Sequence, residues 1–297
     1  MDLSATGVRI GVVILPAARW SEQRHQWRQA EALGFHHAWT YDHLAWRSLR
    51  DSTWFGAVPT LAAAAMETTR IRIGPLVASA NFRHPVPFAK ELMTLDDLSA
   101  GRLTVGIGAG GVGWDATMLG QDAWSRHERA ERFAEFVAMI DLLLREPAAS
   151  QRGRYYAADE ARMLPGCVQT PRPPLAIAAI GPKGMRLAAT YGDTWVTTGD
   201  HSNVGDPLDA DAGAAIVAAQ IGRIEDTCAA IGRDPATIGR LVHAGPELDP
   251  GLSSAEHFRD TVERYAAVGV TDLVVPWPRT EPPYEADLAT FERIFAA

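Results

Sequence analysis

Lysine is nearly missing from this chain. Of its 28 basic residues only Lys90 and Lys183 are lysines, and the rest are arginines. Basic charge as a whole is also short, with 36 acidic residues against those 28, a net charge of −8 and a pI near 5.6. That balance argues against bulk nucleic-acid binding and against anchoring on an anionic membrane. The two cysteines, Cys167 and Cys228, lie far apart and have no C-x-x-C partner. Both therefore read as reduced thiols of a cytoplasmic protein, and no disulfide framework is expected. No apolar run approaches the roughly 18 residues of a membrane-spanning helix. The stretch Met1 to Pro16 lacks a basic n-region and a small-residue cleavage site, so its short apolar run reads as a strand and not as a signal peptide. There is no H-E-x-x-H, no carboxylate cluster and no G-x-S-x-G, so neither a metal site nor covalent hydrolysis is expected.

What the chain does have is a regular alternation over 297 residues, 47% of them hydrophobic. Short apolar runs are predicted as strands at Val8–Leu15, His37–Tyr41, Ile71–Ala78, Leu103–Ile107, Leu175–Ala179, Thr194–Thr197, Ile238–His243 and Asp272–Pro276. Helical patterns follow each of them, at about Ser21–Leu33, Phe55–Thr68, Val86–Leu98, Arg129–Arg145, Met185–Tyr191, Asp211–Ile231, Ser254–Val268 and Glu285–Phe295, with Ser21 as an N-cap and Gly34 as a stop for the first. The strands are apolar throughout, as parallel strands covered on both faces are. Eight such units in one chain fit an α/β fold of the (β/α)8 TIM-barrel kind, a single domain over 1–297, better than an open doubly wound sheet. Residues 151–174 show no period and read as an irregular insertion after the fourth helix.

Barrel chemistry sits at the C-terminal ends of the strands. Asp42-His43 occupies such an end, and histidine suits proton transfer near neutrality. Trp46 and Trp54 follow in the same loop and could wall an aromatic or apolar ligand. His36 and His37 alternate along a strand, so they cannot both face one metal. Gly106-x-Gly108-x-x-Gly111 matches a dinucleotide fingerprint in the wrong context, after a fourth strand, and reads better as backbone that something large approaches closely. Ala179-Ile180-Gly181-Pro182-Lys183-Gly184 ends a strand and opens a helix, where free N–H groups and Lys183 would favour an anion such as a phosphate.

Together these stretches resemble the luciferase-like monooxygenase superfamily. The residues that carry the resemblance are Trp39 to His43, Thr69 to Gly74, Phe82-Arg83-His84-Pro85, Ala89-Lys90-Glu91 with Thr94-Leu95-Asp96, Leu98 to Gly110, Pro171 to Pro174, Gly181-Pro182-Lys183 with Arg186 to Ala189, and Gly192-Asp193-x-Trp195. Members bind FMN or the deazaflavin coenzyme F420, and the form of the Gly-Pro-Lys loop looks like the F420-dependent branch. The resemblance implies that Asp42 and His43 lie beside the deazaflavin ring, with catalytic roles and His43 as the proton-transfer group. It implies that Ala78-Ser79 matches a bulge behind the ring that in many relatives carries a non-prolyl cis peptide. It also implies that Ala109-Gly110 borders the ring's polar edge and that the Gly181–Gly184 loop holds the phosphate. F420-dependent sugar-phosphate dehydrogenases carry a glutamate directly after the Ala-Gly segment, and here that position is Gly111. Glycine moves no proton, so a sugar phosphate is not the expected substrate. Trp46, Trp54 and Trp114 suggest a larger apolar or aromatic one. The expected function is an F420-dependent oxidoreductase acting as a homodimer on a small molecule. The alternatives are an FMN-dependent monooxygenase and a non-catalytic flavin or deazaflavin binder.

Overall fold

The computed structural model describes residues 6–111, 113–200, 207–245 and 247–296. Its strands are β1 (Arg9–Val13), β2 (His37–Thr40), β3 (Arg72–Pro75), β4 (Ala78–Ser79), β5 (Val105–Gly108), β6 (Ala148–Arg152), β7 (Ala157–Arg162), β8 (Leu175–Ala178), β9 (Thr194–Thr197), β10 (Gly239–His243) and β11 (Asp272–Pro276). Its helices are α1 (Trp20–Ala32), α2 (Ala57–Glu67), α3 (Pro85–Leu98), α4 (Arg126–Arg145), α5 (Pro182–Tyr191), α6 (Ala210–Ala230), α7 (Ala255–Ala267) and α8 (Leu288–Phe295).

Nine strands form one parallel sheet in the order β3-β2-β1-β11-β10-β9-β8-β5-β4. The two ends of that order meet. Ile73 N–H donates to the Arg102 carbonyl (3.1 Å) and Thr104 N–H to the Ile73 carbonyl (2.9 Å), closing the ring. β3 and β4 are two halves of one stave, interrupted at Leu76-Val77, so the barrel has the eight staves that the alternation implied. Helix starts follow local capping chemistry. The His84 imidazole accepts from Val86 N–H with Pro85 at the first helical position of α3, and Ser125, Asp209, Ser254 and Asp287 cap α4, α6, α7 and α8. Ser21 is not a cap: α1 begins at Trp20 after Arg19, without a side-chain cap.

Two cores follow from the strand period of two. Val13, Trp39, Leu76, Ala176, Val196, Leu241 and Val274 fill the barrel interior. Phe88, Phe136, Trp195 and Phe258 pack with the helices outside it. Arg102, one of the residues behind the resemblance, ties this wall together: its guanidinium donates to the carbonyls of Ala65, Thr68, Ile71 and Ser99. Glu31 does the same from α1, accepting the backbone N–H groups of Thr69, Arg70 and Ile71. Burial opposes ionisation there, but those N–H groups outweigh it and bring the Glu31 carboxyl down to about 2.

The segment expected to be irregular, 151–174, instead opens inside an antiparallel hairpin of β6 and β7. Its alternation is hidden because the strands are short and rich in alanine and charge. The Glu135 carboxylate of α4 holds the hairpin's tip by accepting the N–H groups of Arg154 (3.0 Å), Tyr155 (3.0 Å) and Tyr156 (2.6 Å). The two cysteines are unpaired, and burial pushes the Cys167 thiol up to about 11.

Candidate active site

At the C-terminal end of β2 the chain turns through Tyr41, Asp42 and His43. Asp42 is 2% exposed, and both of its oxygens take the Arg83 guanidinium, at 2.5 and 2.8 Å. Arg83 also donates to Glu91 (2.9 Å) and lies 4.3 Å above the Phe88 ring. This bidentate pair fastens the β2 loop to the start of α3.

His43 is held differently. Its Nδ1 lies 2.5 Å from Asp115 Oδ2, while Asp115 Oδ1 accepts the N–H groups of Leu44 (2.6 Å) and Ala45 (3.3 Å). Trp54 donates its indole N–H to the His43 carbonyl (2.8 Å). Asp115 is buried on the turn after the glycine-rich loop, whereas the His43 side chain remains 29% exposed. Among the described residues His43 Nε2 has no partner. The carboxylate accepts, so Nδ1 carries a proton, and in the neutral ring Nε2 then presents a lone pair. Asp115 lies 72 positions from His43, and no spacing in the sequence announces it.

The structure brings Trp46 and Trp54 together as a stack, 6.1 Å and 22° apart, each within 6.5 Å of the His43 ring. Tyr284 also stacks on Trp46, at 6.1 Å. Trp114 stands apart from that stack: it is 41% exposed, with the Arg50 guanidinium 3.7 Å from its ring centroid.

On the stave next to β2, where Leu76 N–H donates to the Thr40 carbonyl, the expected cis peptide is present but not at Ala78-Ser79. It joins Leu76 to Val77, and Ala78-Ser79 is already back in register with Ile107-Gly108 as β4. The glycines of β5 explain the position. A Cβ on Gly106 would run into the Pro75 carbonyl oxygen, and one on Gly108 into the Val77 side chain. The partner that approaches these glycines is the chain's own bulge. Ala78 is buried with its side chain in the outer core. Ser79 Oγ accepts Asn81 N–H (3.1 Å), and Asn81 Nδ2 donates to the Gly111 carbonyl (2.9 Å). Asn81 Oδ1 is buried and unpartnered. Gly110, at φ +71, lies against Ser79 and Asn81, and Ala109 is half-buried beside it.

The loop after β8 reaches α5 with Gly181 as N-cap, Pro182 at the first helical position and no side-chain cap. Gly181, Pro182 and Lys183 are exposed, Ile180 and Gly184 are half-buried, and the buried Ala179 gives its carbonyl to the Trp195 indole (2.7 Å). Nearby on α4, the Tyr155 hydroxyl (2.6 Å) holds the Glu131 carboxyl below its ordinary value, with the charges of His127, Arg154 and Lys183 adding. A flat heterocycle with a phosphate arm suits this half of the mouth. It would meet bare backbone at Gly111 and Gly181, an orphaned acceptor at Asn81, and the free N–H groups of an uncapped helix. No His, Cys, Asp and Glu cluster among the described residues could hold a metal. No described helix is long and apolar enough to cross a membrane.

Comparison with known proteins bears on the family and the fold. The family model of the luciferase-like monooxygenases matches residues 4–264. The chain belongs to that family. A relative from Streptomyces nodosus subsp. asukaensis, 4-hydroxyprotoasukamycin monooxygenase, is 30% identical over 270 residues, 89% of this chain and 66% of its own. An F420-dependent glucose-6-phosphate dehydrogenase of Beutenbergia cavernae is 35% identical over 175 residues, 57% of this chain and 50% of its own. The chain thus spans between half and two-thirds of these relatives' length. Among solved structures, an F420-dependent secondary alcohol dehydrogenase superposes with a TM-score of 0.79 at 19% identity, covering 97% of each chain, which shows the barrel fold.

Proposed function

We propose that the protein is an F420-dependent oxidoreductase that passes a hydride between the deazaflavin and an apolar or aromatic organic substrate. The observation that carries this reading is the His43–Asp115 pair, which leaves Nε2 unpartnered among the described residues beside a wall of stacked indoles. The relatives whose names include F420, and the coenzyme's match to the bare backbone around Asn81 and Gly181, support it.

When bound, the coenzyme supplies or takes the hydride, and the residues of this chain manage the proton and the position. For oxidation of an alcohol, His43 Nε2 takes the hydroxyl proton as the hydride leaves carbon. For reduction, the same nitrogen returns it. Asp115 fixes the tautomer and stabilises the imidazolium that forms, as a buried carboxylate does for a catalytic histidine elsewhere. Asp42 moves no proton in this scheme. With both oxygens on Arg83 it holds His43's loop against α3. Gly111 leaves no second acid where the sugar-phosphate dehydrogenases have one, so the substrate lies outside that class.

A second reading, an FMN-dependent monooxygenase, draws on the relative of that name. Titrating the purified protein with F420 and, separately, FMN decides between them by tryptophan quenching. Micromolar binding of F420 with little of FMN is expected. Preference for FMN, with oxygen uptake when the flavin is reduced, would transfer the assignment to oxygenation.

A further inference from the structure

Three hydroxyl or imidazole groups meet at the barrel mouth and take no part in the scheme above. Tyr41 follows β2, His243 ends β10, and Tyr284 lies in the loop after β11. The Tyr41 hydroxyl is 2.5 Å from that of Tyr284 and 3.2 Å from His243 Nε2. Tyr41 and His243 are buried, and Tyr284 is half-buried. Tyr41 has both neighbours filled. Among the described residues the Tyr284 hydroxyl, with one hydrogen and two lone pairs, has only Tyr41 as partner, so it is the open end of the chain.

Tyr284 is also held there at a cost. Its φ is +69, a left-handed conformation that non-glycine residues rarely adopt and that persists where the surroundings impose it. Its ring lies over Gly245, where a Cβ would come within 3.2 Å. One ring contact is the Trp46–Trp54 stack that borders His43. The residue also lines a cavity of about 620 Å³, together with Gly245, Pro250, Leu252 and Pro276.

We propose that the Tyr284 hydroxyl, backed by Tyr41 and His243, binds an oxygen substituent on a planar aromatic substrate. This rests on the oxidoreductase reading for its reaction but not for its binding. The chain can present either polarity. If His243 Nε2 accepts from Tyr41, then Tyr284 donates to Tyr41 and offers a lone pair to a substrate hydroxyl. If Nε2 carries the proton, both hydrogen bonds reverse and Tyr284 donates to a substrate carbonyl. Burial pushes His243 down to about 4, so the ring is neutral at working pH and both tautomers are available. A phenol and a quinone, or an aromatic ketone and its alcohol, are therefore both accommodated.

The experiment uses two probes of one shape, 2-naphthol and naphthalene, titrated calorimetrically into the coenzyme-free protein and its Tyr284→Phe variant. Wild type is expected to bind 2-naphthol about 5- to 10-fold more tightly, the scale of one neutral hydrogen bond. In Tyr284→Phe that advantage should fall to twofold or less while naphthalene binds as before. An unchanged advantage in the variant, or no preference in wild type, overturns the proposal. Coenzyme is absent, so failure of the F420 titration and failure of this test are separate results. Tyr284→Phe keeps the ring that packs on Trp46. A circular-dichroism melt checks that it folds, and if it does not, Tyr41→Phe is carried through the same two titrations with the same collapse expected.

Discussion

The barrel carries a histidine–aspartate pair at each end, and the two have opposite uses. At the N-terminal end Arg9, His37 and Asp272 begin β1, β2 and β11. Asp272 takes Arg9 through two bonds of 2.7 Å and His37 Nε2 at 3.1 Å, while the Trp39 indole donates to His37 Nδ1 at 2.6 Å. An indole only donates, so Nδ1 accepts, Nε2 carries the proton, and neither ring nitrogen is left over. Burial alone would raise the Asp272 carboxyl, but the His37 and Arg9 hydrogen bonds more than reverse this and hold it well below the usual range. A Cβ on Gly11 would collide with the His37 ring, so the sequence around the pair is shaped to it. At the C-terminal end His43 has one nitrogen on Asp115 and the other open. A histidine–aspartate contact by itself says nothing of catalysis. What separates the two is whether the second nitrogen is consumed.

The comparison can be broken from either side. His43→Ala should lower turnover about 10²- to 10⁴-fold, the range for losing a positioned proton-transfer group. Its F420 affinity should stay within a few-fold and its melting temperature nearly unchanged, because the ring packs at a partly open mouth. Asp272→Ala should do the reverse. It strands a buried imidazole and half of an ion pair, so urea unfolding should show a loss of about 3 kcal/mol, with turnover per folded molecule unchanged.

His243 supplies a pH test of about the same size. It is neutral when folded with its value near 4, against 6.5 when unfolded, so the unfolded chain binds the extra proton. Stability from this group is complete above pH 6.5 and is lost as pH falls to 4, by at most about 3 kcal/mol. His243→Gln should flatten the stability curve across that window. The smallest effect sharpens the upper pair. Asp115→Asn should reduce kcat by about 10- to 100-fold, the scale seen when an orienting partner is removed, while substrate affinity holds.

Much of the barrel was legible because each stave is a short apolar run between turn signals, and that pattern depends only on local order. His43 was legible too, as a titratable side chain at a strand end. Its partner was not, because only closure of the β5 loop over the β2 loop brings Asp115 to it. The same holds for Arg83, which reaches Asp42 across 41 positions. Gly106 and Gly108 do mark a close approach, but by the chain's own Pro75 and Val77 and not by something large and flat; an absent Cβ does not say what approaches. The bulge with its cis bond at Leu76-Val77 does, and the resemblance had implied it at Ala78-Ser79. The hairpin of β6 and β7 was hidden because the side chains it buries, Ala149 and Ala158, are small, and its tip is fixed by the distant Glu135.

The most direct test places both histidines in one spectrum. Long-range proton–nitrogen correlation of the imidazoles, recorded without and with F420, reports each ring nitrogen separately. The account predicts that His43 Nε2 shifts when coenzyme binds, while His37 keeps a single Nε2–H tautomer with unmoved nitrogens. A His43 ring that ignores bound coenzyme, or a His37 ring that responds to it, would contradict the assignment of one pair to chemistry and the other to structure.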